Sequence, residues 1–332
     1  MNFKEFKLKY QEKDVLEIPN RVVDNPLLSI CVQTYNHEHY IRQCLDGILM
    51  QQTNFDFEIL LGEDQSNDKT RIICKEYAQQ FPDKIKLFLH HRENNIIIGG
   101  RPSGRFNLLY NLYSAKGRYL ALCEGDDYWT DPFKLQKQVD FLETNPDYDI
   151  CAHKVFELND FNKKEIKKIP NIDTDTDYLI EDYILGNKTG TCSLVFESKY
   201  IKYLPKLFNK LPFGDLGIVL TVLKHSNKKM KVFNEEMGVY RVHSGGVHAK
   251  FRSSTKKLIS NYKQHLNFVS IIEKDLLFED SYRISILKKR LNTYWEIKRL
   301  ARINKMYLAY GFYKIRYELI KMYLIKTKNY EQ

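Results

Sequence analysis

Arg118-Tyr119-Leu120-Ala121-Leu122-Cys123 runs directly into Glu124-Gly125-Asp126-Asp127. The first six residues are mostly apolar and predict a buried strand. Three carboxylates within the next four residues end it. Like charges packed this closely cost folding energy unless a cation neutralises them. Hard divalent cations take oxygen ligands and commonly bridge protein carboxylates to phosphates. Acidic residues also favour helix N-termini, and a helix is expected after Asp131. Taken alone, the cluster leaves metal binding and helix capping both open.

Outward from that junction the same order repeats. Residues 27–32, Leu-Leu-Ser-Ile-Cys-Val, form a short apolar run after Pro26 and end in the polar turn 33–36. Ile41, Leu45, Ile48 and Leu49 then recur at helical spacing. Residues 57–61 repeat the strand, residues 62–68 the polar turn, and Ile72, Ile73, Tyr77 and Ala78 the helix. Residues 85–89 predict a third strand. A helix closing at Lys116-Gly117, in the manner of a C-cap, precedes the fourth. Beyond it, Leu135, Val139, Phe141 and Leu142 predict a helix, and residues 150–156 and 192–196 further strands. Residues 159–177 read as a polar surface excursion, 214–223 as a helix and 231–241 as strand. This alternation implies an α/β fold with a mixed, mostly parallel sheet and helices on both faces. Ligands in such sheets bind beyond the carboxyl ends of the strands, so the polar clusters are expected to share one crevice.

Composition narrows the class. With 43% hydrophobic residues, the chain can bury a sizeable core and is not expected to be disordered. Its net charge of +10 sits at one end: residues 281–332 hold 13 Lys+Arg against 3 Asp+Glu, which leaves the body neutral. Such asymmetry points to an anionic partner for the tail. Six cysteines form no CxxC pair and lie mostly in apolar runs, which suits buried thiols in a reducing compartment. Residues 1–14 lack the apolar core of a secretory signal, and no apolar run approaches the roughly 18 residues of a membrane span. A cytoplasmic protein is the expectation.

The second chemical signal is Glu63-Asp64-Gln65-Ser66-Asn67-Asp68-Lys69-Thr70. A carboxylate at a strand end can accept hydrogen bonds from a base or ribose. Ser66 or Asp68 can equally cap the next helix. Together with Cys31-Val32-Gln33-Thr34-Tyr35-Asn36, and with the acidic turn followed by Tyr128-Trp129, Asp131-Pro132 and Lys134-Leu135, this stretch resembles the family 2 glycosyltransferases over residues 27–247. Gln33 stands where the family often has proline. Glu63 and Gln65 replace an aspartate and a glycine, and Glu124 replaces the leading aspartate of the acidic motif. The resemblance implies the GT-A fold, the Rossmann-like architecture of nucleotide-diphospho-sugar transferases.

It also implies roles. Gln33, Tyr35 and Asp64, with Glu63 beside them, would cradle the nucleobase and ribose. Asp126 and Asp127 would hold the donor diphosphate through Mn²⁺ or Mg²⁺, with Glu124 nearby and the metal acting as a Lewis acid. Pro212-Phe213-Gly214-Asp215-Leu216 is similar to the segment carrying the catalytic base, with Gly214 where the family often has an acid. Asp215 would take the acceptor's proton; by residue type alone it could also be an N-cap. Tyr240-Arg241-Val242-His243-Ser244-Gly245-Gly246-Val247 resembles the closing loop, whose histidine approaches metal or diphosphate. On its own, His243 is also compatible with an ordinary loop histidine. His37, His39, His90, His91 and His248 lack zinc-site spacing. Residues 188–191 are placed toward the acceptor. Arg101 and Arg105 are read as solvated charges, with the diphosphate as the alternative.

The expectation is a metal-dependent, inverting glycosyltransferase of bacterial surface-polysaccharide assembly. It would move a sugar from a nucleotide-diphosphate donor, a UDP-sugar by preference, to a glycan or lipid-linked saccharide. A sugar-nucleotide-binding scaffold without catalysis is the alternative. So is a nucleotidyltransferase, although the glycine-rich triphosphate loop of that family is absent near the N-terminus. Three regions are expected: an N-terminal extension over 1–26, the catalytic domain over 27–254 and a basic helical extension over 255–332. In the last, Leu287, Leu291, Trp295 and Ile297, then Leu308, Phe312, Ile315, Leu319 and Met322, recur at helical spacing. Two readings stand: an amphipathic hairpin on anionic lipid, peripheral to the inner membrane face, or helices packed on the catalytic domain with a solvated basic face. No nucleic-acid motif accompanies the charge.

Overall fold

The computed structural model describes residues 2–160, 164–243, 245–246 and 254–327. Along the chain lie α1 (Phe3–Tyr10), β1 (Leu16–Glu17), β2 (Leu28–Thr34), α2 (Ile41–Leu49), β3 (Phe57–Glu63), α3 (Thr70–Gln80) and β4 (Ile85–Leu89). A small hairpin, β5 (Ile97–Ile98) and β6 (Arg101–Pro102), precedes α4 (Arg105–Ser114), β7 (Tyr119–Leu122), β8 (Tyr128–Trp129) and α5 (Lys134–Thr144). Then follow β9 (Tyr148–Asn159), β10 (Lys164–Ile169), β11 (Thr176–Tyr178), α6 (Ile180–Leu185), β12 (Val195–Glu197), α7 (Gly214–Ser226) and β13 (Lys229–Val242). Helices α8 (Thr255–Asp275), α9 (Arg283–Ile303) and α10 (Tyr307–Lys326) end the described chain.

One mixed sheet has the order β1-β4-β3-β2-β7-β12-β9-β13-β11, with β10 on β9 and β8 on β13. The strands read first from the sequence, β4-β3-β2-β7, pair in parallel. β12 turns the sheet antiparallel between β7 and β9, and β13 runs parallel to β9. Alternate side chains of each parallel strand go to opposite faces. Ile30, Val32, Ile59 and Leu61 pack with α2, α3 and α5, while Cys31 and Leu60 share the other core with α4 and α7. Burial on both faces is why these strands read as unbroken apolar runs.

Two readings are corrected. Gly117 takes no left-handed conformation and does not cap α4, whose C-cap is Ala115. A Cβ there would lie 2.5 Å from the Ser29 backbone nitrogen, so close approach to β2 requires the glycine. Residues 159–177, expected as a surface excursion, carry β10 and β11. In the tail, Leu291 and Ile297 of α9 are buried, whereas the periodic apolar residues of α10 face outward. Among the described residues no helix is long and apolar enough to cross a membrane.

Candidate active site at the carboxyl ends of the strands

The turns after β2, β3 and β7 are held in step by the sheet. The Asp64 N–H donates to the Thr34 carbonyl at 3.1 Å, and the Gly125 N–H to the Gln33 carbonyl at 2.9 Å. Asn36 and Gln65 both adopt φ of 55°. Glycine is the usual occupant of that region, which explains the family's glycine at the position of Gln65. Here the Gln65 side chain is engaged instead, accepting from the Arg92 N–H at 2.8 Å.

In the turn after β3 the carboxylates are matched by cations and donors of the chain. Buried Glu63 accepts from the Ser66 N–H at 2.6 Å and pairs with Arg71, so both its oxygens are engaged. Asp64, only 2% exposed, accepts through Oδ2 from Arg92 Nη1 at 3.0 Å and Asn95 Nδ2 at 2.9 Å. Its Oδ1 is buried without a partner, as is Gln33 Nε2. Burial lifts the Asp64 carboxyl to about 6, against the opposing pull of Asn95 and Arg92. The Arg92 guanidinium also lies 3.9 Å from the Tyr35 ring centroid, so one arginine links that ring to Asp64. An aromatic face, an unused acceptor and an unused donor are the groups that suit a base and its ribose.

In the turn after β7, among the described residues, no lysine or arginine side chain pairs with the carboxylates of Glu124, Asp126 or Asp127. A Cβ at Gly125 would lie 2.6 Å from Thr34 Oγ1 and 3.1 Å from His37 Nδ1; the glycine therefore lets the turn close onto β2. That closure brings Asp126 to two imidazoles: its Oδ2 is 2.9 Å from His243 Nε2 and 3.8 Å from His37 Nε2. One ligand atom from each of His37, Asp126 and His243 lies within 4.8 Å of the others. Asp127 turns inward, where Oδ1 accepts from the Arg241 N–H at 2.9 Å and Oδ2 has no partner. Arg241 braces the turn from below, donating to the Asp126 carbonyl at 2.7 Å and to Gln43, with its guanidinium 4.5 Å from the Tyr128 ring.

Electrostatics follow this geometry. Burial, then Asp126 and Asp215, push Glu124 up to about 8. Burial, with the charges of Asp126 and Glu124, raises Asp127 well above the carboxylate range. For Asp126 burial opposes ionisation, but the His243 hydrogen bond and the neighbouring imidazoles outweigh it and lower its pKa. A cation set among these groups would relieve the repulsion that raises the other two.

Asp215 faces the same acidic turn. It sits in the first turn of α7, whose N-cap is Phe213, so it does not serve as the N-cap. Its Oδ2 accepts from Asn187 Nδ2 at 2.8 Å and Thr191 Oγ1 at 3.2 Å. Arg105, expected as a solvated charge, is buried and donates to the carbonyls of Phe208 and Leu211 at 2.7 and 3.0 Å. A Cβ at Gly214 would lie 2.8 Å from Arg105 Nη2, so glycine leaves room for that brace. A concavity of about 540 Å³ lined by Gln51, Asn54 and Lys84 adjoins the amino end of β3 at Phe57 and touches none of these residues.

The model of glycosyl transferase family 2 matches residues 29–204, more than half of the chain. The chain belongs to that family. An uncharacterized protein of Mycobacterium tuberculosis is 33% identical over 222 residues, covering 66% of this chain; the chain spans about 60% of that relative's length. The minor teichoic acid biosynthesis protein GgaB of Bacillus subtilis is 26% identical over 71% of this chain and 25% of its own length. Two solved structures share the GT-A fold. Residues 1–349 of Staphylococcus aureus TarS in complex with UDP-GlcNAc align over 92% of this chain and 93% of that one, with TM-score 0.53 and 14% identity. The mannosyltransferase PcManGT of Pyrobaculum calidifontis, in complex with GDP-Man and Mn²⁺, aligns over 98% and 92%, with TM-score 0.52 and 15% identity.

Against the family pattern, the residues read from the sequence separate into groups. Gln33, Tyr35 and Asp64 lie at the carboxyl ends of β2 and β3. Glu124 and Asp126 follow β7, with His243 on Asp126 and Asp215 near Glu124. Glu63 and Arg241 are turned into the protein as braces, and Asp127 faces the Arg241 backbone. His37, set aside for lacking zinc-site spacing, joins Asp126 and His243; Arg92 and Asn95 escaped the sequence reading. His37 is the second residue after the strand-end tyrosine, and Arg92 and Asn95 follow the third parallel strand by only a few residues, so position relative to a strand end was the available signal. Ser244, Val247 and His248 lie outside the described residues.

Proposed function

We propose that this chain transfers a sugar from a UDP-linked donor to an acceptor hydroxyl with inversion at the anomeric carbon. The observation that carries it is the contrast between two strand-end turns. Orphaned polar atoms of Gln33 and Asp64 lie at the ends of β2 and β3, and after β7 stands an acidic turn that, among the described residues, has no lysine or arginine on its carboxylates. His37, Asp126 and His243 fit a divalent cation, because one ligand atom from each lies within 4.8 Å of the others. Two nitrogen donors beside one carboxylate favour Mn²⁺ over Mg²⁺, which prefers an all-oxygen shell. Bound there, the cation supplies Lewis-acid stabilisation of the departing diphosphate.

The chain's own groups would do the rest. Tyr35 and Asp64 orient the nucleoside. Asp215, held by Asn187 and Thr191, takes the proton of the acceptor hydroxyl as its oxygen bonds to the anomeric carbon and the bond to the diphosphate oxygen breaks. Supporting the donor class, TarS is described with UDP-GlcNAc; supporting the metal, PcManGT is described with Mn²⁺. The relative GgaB points to surface-glycan synthesis. The acceptor would be a glycan or lipid-linked saccharide met at the cytoplasmic membrane face. A panel of UDP-sugars assayed by UDP release, with and without a saccharide acceptor, tests this. Acceptor-stimulated release that disappears in Asp215→Asn is expected. Nucleotide binding with no release for any donor would replace the enzyme by a sugar-nucleotide-binding scaffold.

A further inference from the structure

Helix α10 is apolar on two opposite faces. One face is spent inside the protein: Tyr313 and Leu324 are buried, and Tyr313 packs with Ile297 and Leu300 of α9. The other carries Leu308, Phe312, Ile315, Leu319 and Met322, spaced by four and three residues so that they fall in one stripe. All five are exposed, from 51% at Phe312 to 93% at Leu308. A continuous exposed apolar stripe of this length marks an interaction surface. The helix also bears Lys314, Arg316, Lys321 and Lys326 against Glu318 alone. The Arg316 guanidinium lies 4.4 Å from the Phe312 ring, so a cation borders the stripe directly.

We propose that α10 lies on an anionic lipid bilayer, its stripe among the acyl chains and its cations at the headgroups. The charge selects this occupant. A second copy docking isologously would set one basic flank against another and repel itself. A lipid surface bearing negative headgroups takes up both the apolar stripe and the flanking cations. The helix is also coupled to the crevice. Lys289 of α9 donates to the Leu185 carbonyl at 2.8 Å, two residues before the Asn187 that holds Asp215. Docking through α10 would therefore fix the acceptor side of the crevice relative to the membrane. This deepens the function proposed above and rests on it for the acceptor's location.

The test is co-sedimentation of the full chain with phosphatidylcholine vesicles, with and without phosphatidylglycerol. The wild type is expected to bind only the anionic vesicles. Ile315→Glu with Leu319→Glu, both on the exposed stripe, should weaken that binding more than tenfold. Neutralising Lys314, Arg316 and Lys326 to Gln should cost roughly fivefold per cation. UDP titrations on the same preparations should not change. Failure of the wild type to bind anionic vesicles, or unchanged binding by the Glu variant, would overturn the proposal. So would a wild-type dimer in light scattering that the Glu variant converts to monomer, because a second copy would then cover the stripe. A wild type that binds UDP but no anionic vesicles sinks the membrane inference alone, whereas a wild type that binds the vesicles but no UDP sinks the nucleotide site alone.

Discussion

The two acidic turns of the crevice have nearly the same composition and opposite electrostatics. After β3, Glu63 meets Arg71 and a backbone N–H, and Asp64 meets Arg92 and Asn95. After β7, burial and the Asp126 and Asp215 charges push Glu124 up, burial and the Asp126 and Glu124 charges push Asp127 up, and among the described residues the Asp126 carboxylate is matched by imidazoles alone. The first turn is balanced from within and keeps single orphan atoms for a ligand. Among the described residues the second has no such match, an arrangement that a bound cation would stabilise. A chain that supplied both turns with arginines would be more stable and would have no place for a metal.

The contrast can be broken at several points. Asp215→Asn should have the largest effect, lowering the transfer rate about 10²–10⁴-fold by removing a general base, while calorimetric UDP affinity stays unchanged. Glu63→Gln leaves Arg71 facing a neutral amide. Chemical denaturation should show a loss of about 3 kcal/mol, at the low end for a broken buried pair because Arg71 is partly solvated. Asp64→Asn should cost UDP roughly tenfold in affinity, as expected for losing a charged hydrogen-bond acceptor.

Acidification should mimic that variant. Below about 6 the Asp64 carboxyl holds its proton, so UDP affinity should fall as pH drops through that value. The sign for folding is the reverse. The folded pKa is raised above 3.8, the native state keeps the proton longer, and this group's contribution to stability declines as pH rises toward 6. A UDP affinity that is flat from pH 5 to pH 8 would remove Asp64 from the site. The smallest effect belongs to Asp127→Asn. The amide keeps an acceptor for the Arg241 N–H and removes a charge next to Glu124 and Asp126. In EDTA, stability should rise by about 1 kcal/mol, where the corresponding change at Glu63 lowers it.

Much of this was legible. The parallel strands announced themselves as apolar runs because both their faces are buried, and each polar turn followed a strand end, so convergence was a consequence of topology. Which carboxylate faces the crevice was not legible. Asp126 and Asp127 are adjacent and chemically alike, and only the packing of Gly125 onto Thr34 turns one toward His37 and the other toward the Arg241 backbone. His37 and Arg92 sit in turns without periodicity, and they reach their partners through pairings of β2 with β7 and of β3 with β4 that involve distant stretches of chain. In α10 the period was visible but its direction was not. Apolar residues at helical spacing are compatible with facing a core or a membrane, and the position of Tyr313 against α9 turns the stripe away from the core.

The central claim is that the turn after β7 needs an external cation to accept a nucleotide diphosphate. Calorimetric titration of UDP, first with Mn²⁺ and then with EDTA, tests it, with Asp126→Ala as the paired variant. The prediction is binding by the wild type in Mn²⁺, loss of that binding in EDTA, and none by the variant in either. UDP binding of equal strength in EDTA, or binding that survives Asp126→Ala, would contradict the account and leave the acidic cluster as a structural turn.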